Sequence, residues 1–313
     1  MKNIIKSGIF GVCVGDALGV PVEFKQRSYL KEFPVTEYLE FMSWNQPKGT
    51  WSDDSSLTLC LAEELTRGYD LEEIGNSFVK WYLDGHWTAH GKLFDVGGTT
   101  KHSIERLIKG ESASFSGNLF EEDNGNGSLM RILPIAFYLE KEENIERIYQ
   151  IVKEVSSITH GHFRSVFACF IYIVFAIQLI KGKNKNEAYS YMQKTVLDYA
   201  SANGFNIREI DLFYKLLKND ITTYSEDDIK SSGYVLDALE ASFWCFMKYT
   251  SYKDSVLAAV NLGEDTDTTA AITGGIAGIY YGFEEIPAIW ISELVRKDDI
   301  DVLCGKLQDK LMK

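Results

Sequence analysis

Residues 261–282 read NLGEDTDTTAAITGGIAGIYYG, which sets Asp265, Asp267 and a cluster of threonines at the mouth of an Ala, Ile and Gly run. A second stretch, GTWSDDSSLTLCLAEEL at 49–65, repeats the composition, with Ser52, Asp53 and Asp54 directly before an amphipathic segment. Such groups at a helix start can do two jobs. They can cap free backbone N–H groups and answer the helix dipole, or they can offer oxygen ligands to a hard divalent cation. One Ser or Asp is enough for a cap. Paired carboxylates beside a hydroxyl, found at two separate helix starts, exceed that need and make an oxygen-donor set for Mg²⁺ or Mn²⁺, as one ion or a pair. Zinc is disfavoured because the five histidines and five cysteines show no zinc-type spacing. An EF-hand is excluded, since a loop starting at Asp265 has Ala270 where the sixth-position glycine belongs and Ile276 at the acidic twelfth. The run Asp265-Thr266-Asp267-Thr268-Thr269 also fits the DxDxT pattern of phosphatases with an aspartyl nucleophile. That chemistry needs the motif at the end of a parallel strand, and strand-type alternation is scarce here.

Four more segments carry groups that could act. In GVCVGDALGVPVEF (11–24) a helix is expected to end near Gly19–Pro21, with Asp16 in a buried polar contact and Glu23 just beyond, facing the site. GNGSLMRILPIAF (125–137) places Gly-Asn-Gly-Ser before an expected helix, where unblocked N–H groups could seat phosphate oxygens. By itself such a glycine turn signals only a turn. SSITHGHFRS puts His160 and His162 between apolar segments, and FDVGGTTKHSI puts Asp95 ahead of Gly97 and Gly98 at another helix start.

The elements that must hold these groups read as helices. Leu57, Cys60, Leu61 and Leu65 share one helical face that stops near Gly68, and Leu71, Ile74, Phe78, Trp81 and Tyr82 share another. Only five prolines occur, three of them before residue 50, and no low-complexity linker divides the chain. A single all-α domain over 1–313 is expected, with apolar central helices wrapped by outer ones and a polar surface loop at 110–125. The 313 residues, 45% hydrophobic and 13% aromatic, suffice for a sizeable core. A formal net charge of −13 speaks against nucleic-acid or anionic-membrane binding through a basic face. The five cysteines are scattered without a CxxC pair and read as reduced core residues. The N-terminus superficially suggests a signal peptide, but Asp16 interrupts it. The apolar stretch 166–180 is short for a membrane span and contains Gln178. A soluble, cytoplasmic protein is the expectation.

As a set, GDALGVPVEF, GTWSDDSSL, FDVGGTT, GNGSLMRILPIAF, ITHGH, GYVLDALEASFWCF and AVNLGEDTDTTAAITGGIAGIYYG run end to end along the chain, and in that order they resemble the ADP-ribosylglycohydrolase family. The resemblance implies an all-α, orthogonally packed fold with a binuclear Mg²⁺ or Mn²⁺ centre in a cleft. By position it places metal ligands on Ser52, Asp53, Asp54, Asp265, Asp267 and Thr268, with Ser52 standing where relatives often carry Thr. It places a cleft glutamate on Glu23 and a substrate-handling aspartate on Asp95, where Val96 replaces the usual Ile. The diphosphate and distal ribose would lie along Gly125, Asn126, Gly127 and Ser128, with His160 close by, and Tyr234 would stack on adenine. The implied reaction is hydrolysis of the bond between ADP-ribose and a modified residue, arginine first. Serine, O-acetyl-ADP-ribose or another linkage is the second possibility, and a non-catalytic structural member of the family is the third. The implied partner is an ADP-ribosylated protein or a small ADP-ribose conjugate, with no nucleic acid or membrane, acted on by a monomer. Two cations would orient the ribose hydroxyls and activate water, while Glu23 or Asp95 served as general acid or base.

Overall fold

The computed structural model describes residues 3–311. Among them are sixteen α-helices and no β-strand, and the extended pairing is confined to two isolated bridges, Asn118 with His160 and Gly125 with Tyr234. The fold is all-α. Its helices begin and end on local signals. Asp70 accepts from the N–H groups of Glu72 and Glu73 to start Leu71–Asp84, which closes at Gly85 in the left-handed region. Asn184 and Glu187 form a capping box at the start of Lys185–Ala202.

Buried apolar residues from Ile5 to Leu307 form one contiguous core. Helix Phe163–Ile180 lies at its centre, apolar on nearly every face, as a helix must be when other helices surround it. This helix and the stretch Ile4–Val22 are long and apolar enough to match membrane-spanning segments, yet both are 89% buried within the protein. All five cysteines are buried and unpaired.

The contact that positions the site is between helices Ile4–Gly19 and Thr266–Tyr281. Their backbones touch. A Cβ on Gly15 would lie 2.1 Å from the carbonyl oxygen of Ala270, and one on Gly19 would lie 2.3 Å from Cα of Asp267. Glycine here is required by close approach, and the approach sets Asp16 beside Asp267. Gly15→Ala is therefore expected to cost about 3 kcal/mol of overpacking, read as a lower urea midpoint. Gly305→Ala, whose Cβ would meet nothing within 4 Å, should leave the midpoint unchanged or raise it.

One expectation is corrected. No helix begins after Gly-Asn-Gly-Ser: residues 127–131 form turns, and the next helix is the short Pro134–Tyr138. Proline at the first helical position sets that start, because further inside it would remove a hydrogen bond and clash. Asn126 therefore has no helix N-terminus to lend it positive potential. The 110–125 loop also departs from a purely polar surface, since Phe115, Leu119 and Phe120 are exposed on it.

Candidate active site

The two acidic helix starts converge. Ser52 and Asp54 open helix Asp53–Leu65, and the Thr268 hydroxyl from the other start donates to Asp54 Oδ2 at 3.4 Å. Capping accounts for only part of this. Ser52 is a true N-cap, its oxygen accepting from the Asp54 N–H, but Asp265, the N-cap of Thr266–Tyr281, makes no side-chain cap bond. Asp53, Asp54 and Asp267 are left over.

Seven carboxylates gather here: Asp16, Glu23, Asp53, Asp54, Asp95, Asp265 and Asp267. Two triads, Asp16–Asp54–Asp267 and Glu23–Asp265–Asp267, each bring three carboxylate oxygens within 4.8 Å of one another, and Asp267 belongs to both. Asp53 stands outside both triads, on the cleft wall. Asp16 is gripped by the second helix start, accepting from Ser52 N–H at 2.9 Å, Ser55 N–H at 2.9 Å and the Ser55 hydroxyl at 2.5 Å.

Burial and mutual repulsion push these acids toward their neutral forms. The Asp16 carboxyl rises to about 6 through burial, and Asp95 to about 7 through burial and the charge of Asp265. Glu23 rises to about 9 through burial and the charge of Asp95. Asp53, Asp54 and Asp267 are all raised well above the ordinary aspartate range, first by burial and then by neighbouring carboxylates. Oδ1 of Asp54 and Oδ2 of Asp267 are buried without any hydrogen-bond partner. Two orphaned carboxyl oxygens in one acidic cluster are costly to bury, and a cation that met them would remove that cost. The donor set, all oxygen and without His or Cys, fits a hard divalent ion.

The loops around the cluster are strained. Phe24, Asp95 and Glu264 all sit at positive φ, beside or at three of the acidic positions. Two backbone bonds tie these loops together, from Phe24 N–H to Glu264 O at 2.7 Å and from Glu264 N–H to Lys25 O at 2.8 Å.

The cleft above the cluster has a volume of about 330 Å³ and is lined by Glu23, Asp53, Asp95, Gly125, Asn126, Gly127, His160, Asp265 and Thr268 among others. That size is typical of a small-molecule site. Ser52, Asp54 and Asp267 lie just beneath, buried. Ser128 is turned away, its hydroxyl accepting from Ser156 and resting 3.5 Å from Cys169. Tyr234 stands one residue beyond the lining residue Gly233, with its hydroxyl accepting from Arg164 at 3.4 Å.

Asp16 is the functional candidate that sequence reasoning underrated. Its signal was present: a charge inside an apolar helix needs a partner or a job, and Asp16 has the one and geometry for the other. Thr99 and Thr100, which also line the cleft, carried no signal beyond following Gly98 at a helix start.

His160 occupies the far end of the cleft floor as a neutral ring. The buried Arg131 guanidinium donates to the Thr159 hydroxyl at 2.8 Å, and that hydroxyl lies 2.8 Å from His160 Nδ1. The Thr159 hydroxyl, which accepts from Arg131, can give its own proton to Nδ1, and in that tautomer the ring proton sits on Nε2. Nε2 lies against Gly125 and Gly127 at the cleft floor. Burial, then the Arg131 charge, lowers the His160 pKa to about 3. Because an unfolded histidine titrates near 6.5, the stability this ring contributes is present above that pH and is lost as pH falls toward 3. Between pH 6.5 and 4.5 the wild type should lose about 2 kcal/mol more than His160→Gln by chemical unfolding. Parallel pH profiles would refute the buried neutral ring.

The chain is thus an all-α protein whose helix starts bring to one cleft an acidic, oxygen-rich cluster able to hold a metal ion. The absence of a strand among the described residues removes the DxDxT phosphatase alternative, which needs a strand end. The family model for ADP-ribosylglycohydrolase matches residues 2–313, and the chain belongs to that family. It is 32% identical over 307 residues to ADP-ribosylarginine hydrolase Tri1 of Serratia proteamaculans (strain 568), covering 96% of this chain and 78% of that relative. It is 27% identical to the ADP-ribosyl-dinitrogen reductase glycohydrolase of Rhodospirillum rubrum, over 93% of this chain and 90% of the relative. A solved structure described as an ADP-ribosylglycohydrolase-related protein complex superposes with a TM-score of 0.81 at 26% identity, covering 99% of both chains. The protein is thus an enzyme, a glycosidic-bond hydrolase acting on ADP-ribosyl groups.

Proposed function

We propose that this enzyme is a Mg²⁺- or Mn²⁺-dependent hydrolase that releases ADP-ribose from modified arginine and so reverses mono-ADP-ribosylation. The observation that carries the metal requirement is the pair of carboxylate triads sharing Asp267, together with the unpartnered buried Oδ2 of Asp267 and Oδ1 of Asp54. The arginine linkage is supported by the likeness to the Serratia ADP-ribosylarginine hydrolase. Asp16, Asp54 and Asp267 would hold one cation and Glu23, Asp265 and Asp267 a second, with Ser52 and Thr268 positioning Asp54 through their hydroxyls. Bound there, divalent ions supply Lewis acidity toward ribose hydroxyls and lower the pKa of a coordinated water.

The chain's own groups do the rest. Glu23 and Asp95 both line the cleft, and burial with their mutual charge raises the carboxyl of Glu23, so this pair can hold a proton near neutral pH. That pair can give a proton to the departing group and take one from attacking water. Gly127 leaves room at the floor, since a Cβ there would lie 2.8 Å from His160 Cε1. With its proton on Nε2, the neutral His160 ring would offer a donor to a phosphate or ribose oxygen without adding charge. Tyr234, linked to Gly125 by a backbone bridge and carrying a half-buried ring, would stack on the adenine.

The test is ADP-ribose release from ADP-ribosylarginine, followed by chromatography, with EDTA, Mg²⁺ or Mn²⁺. Release is expected with either ion and lost with EDTA. A folded sample inactive under all three conditions sinks the proposal, and faster release from serine or O-acetyl conjugates moves the linkage assignment to those.

A further inference from the structure

The cleft has two ends, and Asp265 lies between them. One of its oxygens accepts from Asn126 Nδ2 at 2.7 Å on the His160 side, while it also joins the triad with Glu23 on the other side. At the Glu23 end Phe24 lines the cleft, and Trp44 and Phe94 pack in series beside it to make a wall of three aromatic rings. Phe24 and Trp44 have centroids 5.9 Å apart, and Trp44 and Phe94 have centroids 5.7 Å apart. Each ring is tied to an acid of the cleft: Phe24 follows Glu23, Phe94 precedes Asp95, and the Trp44 indole N–H donates to Glu23 Oε2. The loop carrying Trp44 is anchored by Ser43, whose hydroxyl donates to the Glu23 carbonyl at 2.7 Å.

Core packing does not explain this wall. Phe24 is 64% exposed at a positive φ of 65°, two features that disfavour a bulky apolar residue. Aromatic faces beside paired carboxylates do have one chemical partner that suits them: a planar organic cation, which the rings attract through their quadrupoles and the acids through charge. A neutral hydroxyl leaving group would gain nothing from such a seat.

We propose that Phe24, Trp44 and Phe94 form the seat for the guanidinium of the ADP-ribosylated arginine, so that this wall selects the linkage while the acidic cluster holds the ribose. The inference rests on the proposed function and assigns the acceptor half of the same site.

The test compares two halves of the ligand on the Mn²⁺-loaded enzyme: KM for ADP-ribosylarginine, and Ki for free ADP-ribose, which lacks the guanidinium. The double variant Phe24→Ala/Phe94→Ala is expected to raise KM about tenfold while leaving Ki within about twofold. Phe24→Trp, which keeps an aromatic face, should retain the wild-type KM, whereas Phe24→Leu, apolar but without a quadrupole, should behave as Phe24→Ala does. Trp44 is left intact because its indole also holds Glu23. KM unchanged, KM and Ki rising together, or Phe24→Leu matching wild type would each overturn the assignment. Failure of the wild type to act on the arginine conjugate sinks the proposed function itself, whereas wild-type turnover with unaffected variants sinks this inference alone.

Discussion

Asp267→Asn is expected to lower ADP-ribose release by at least about 10³-fold, a loss of the size seen when a central electrostatic group is removed from a catalytic site, while far-UV circular dichroism stays unchanged. Asp267 is the one carboxylate common to both triads, it is fully buried, and Oδ2 has no partner in the protein. Asparagine keeps its shape and removes its charge. The same change should stabilise the metal-free protein by about 1–3 kcal/mol, because a buried unpaired anion beside other carboxylates is destabilising until a cation arrives. Lost activity with gained apo stability is the signature of a ligand. A merely structural aspartate would give lost activity with lost stability, and full activity in Asp267→Asn would remove the metal assignment altogether. Asp54→Asn, with its own orphaned Oδ1, should follow the same pattern.

The second large effect is the pH dependence of the metal-stripped enzyme. Asp16, Asp95 and Glu23 have folded pKa values of about 6, 7 and 9, above the ordinary 3.8 for aspartate and 4.5 for glutamate. Between those limits the folded state binds more protons than the unfolded chain, so stability must fall as pH rises from about 4 to about 9. Each group contributes about 1.4 kcal/mol per pH unit within its own window. His160 acts in the opposite sense but only below about pH 6.5, so the range from 7 to 8.5 isolates the acids. Urea unfolding in EDTA should therefore give a lower midpoint at pH 8.5 than at pH 7. Mn²⁺ at a hundredfold excess over its Kd should restore about 2.7 kcal/mol and release protons into a weakly buffered solution. A flat profile in EDTA, or metal uptake without proton release, would mean the acids are not crowded as described.

Much of the site could be seen without coordinates. Ser52, Asp53, Asp54, Asp265, Asp267 and Thr268 announced themselves because an acid pair beside a hydroxyl at a helix start is a pattern spanning only a few residues. His160 and Asp95 drew attention for a similar local reason. Asp16 was half legible: its burial could be expected, its partnership with Asp54 and Asp267 could not, because those groups lie far along the chain. The direction of Ser128 is not legible in the sequence, because a glycine turn does not say which way the next side chain points; in the structure it pairs with Ser156.

By itself, then, the sequence determined the all-α class, the helix starts and the oxygen-rich chemistry, since periodicity, caps and residue types act over one or two turns. Only the tertiary structure decided that two glycine-lined helices press their backbones together, that this contact sets Asp16 against Asp267, and that loops near residues 24, 44 and 94 meet as one aromatic wall. The physical reason is range. Local patterns act between neighbours in sequence, whereas the convergence of distant carboxylates depends on how whole helices pack, and that is settled by the core as a unit.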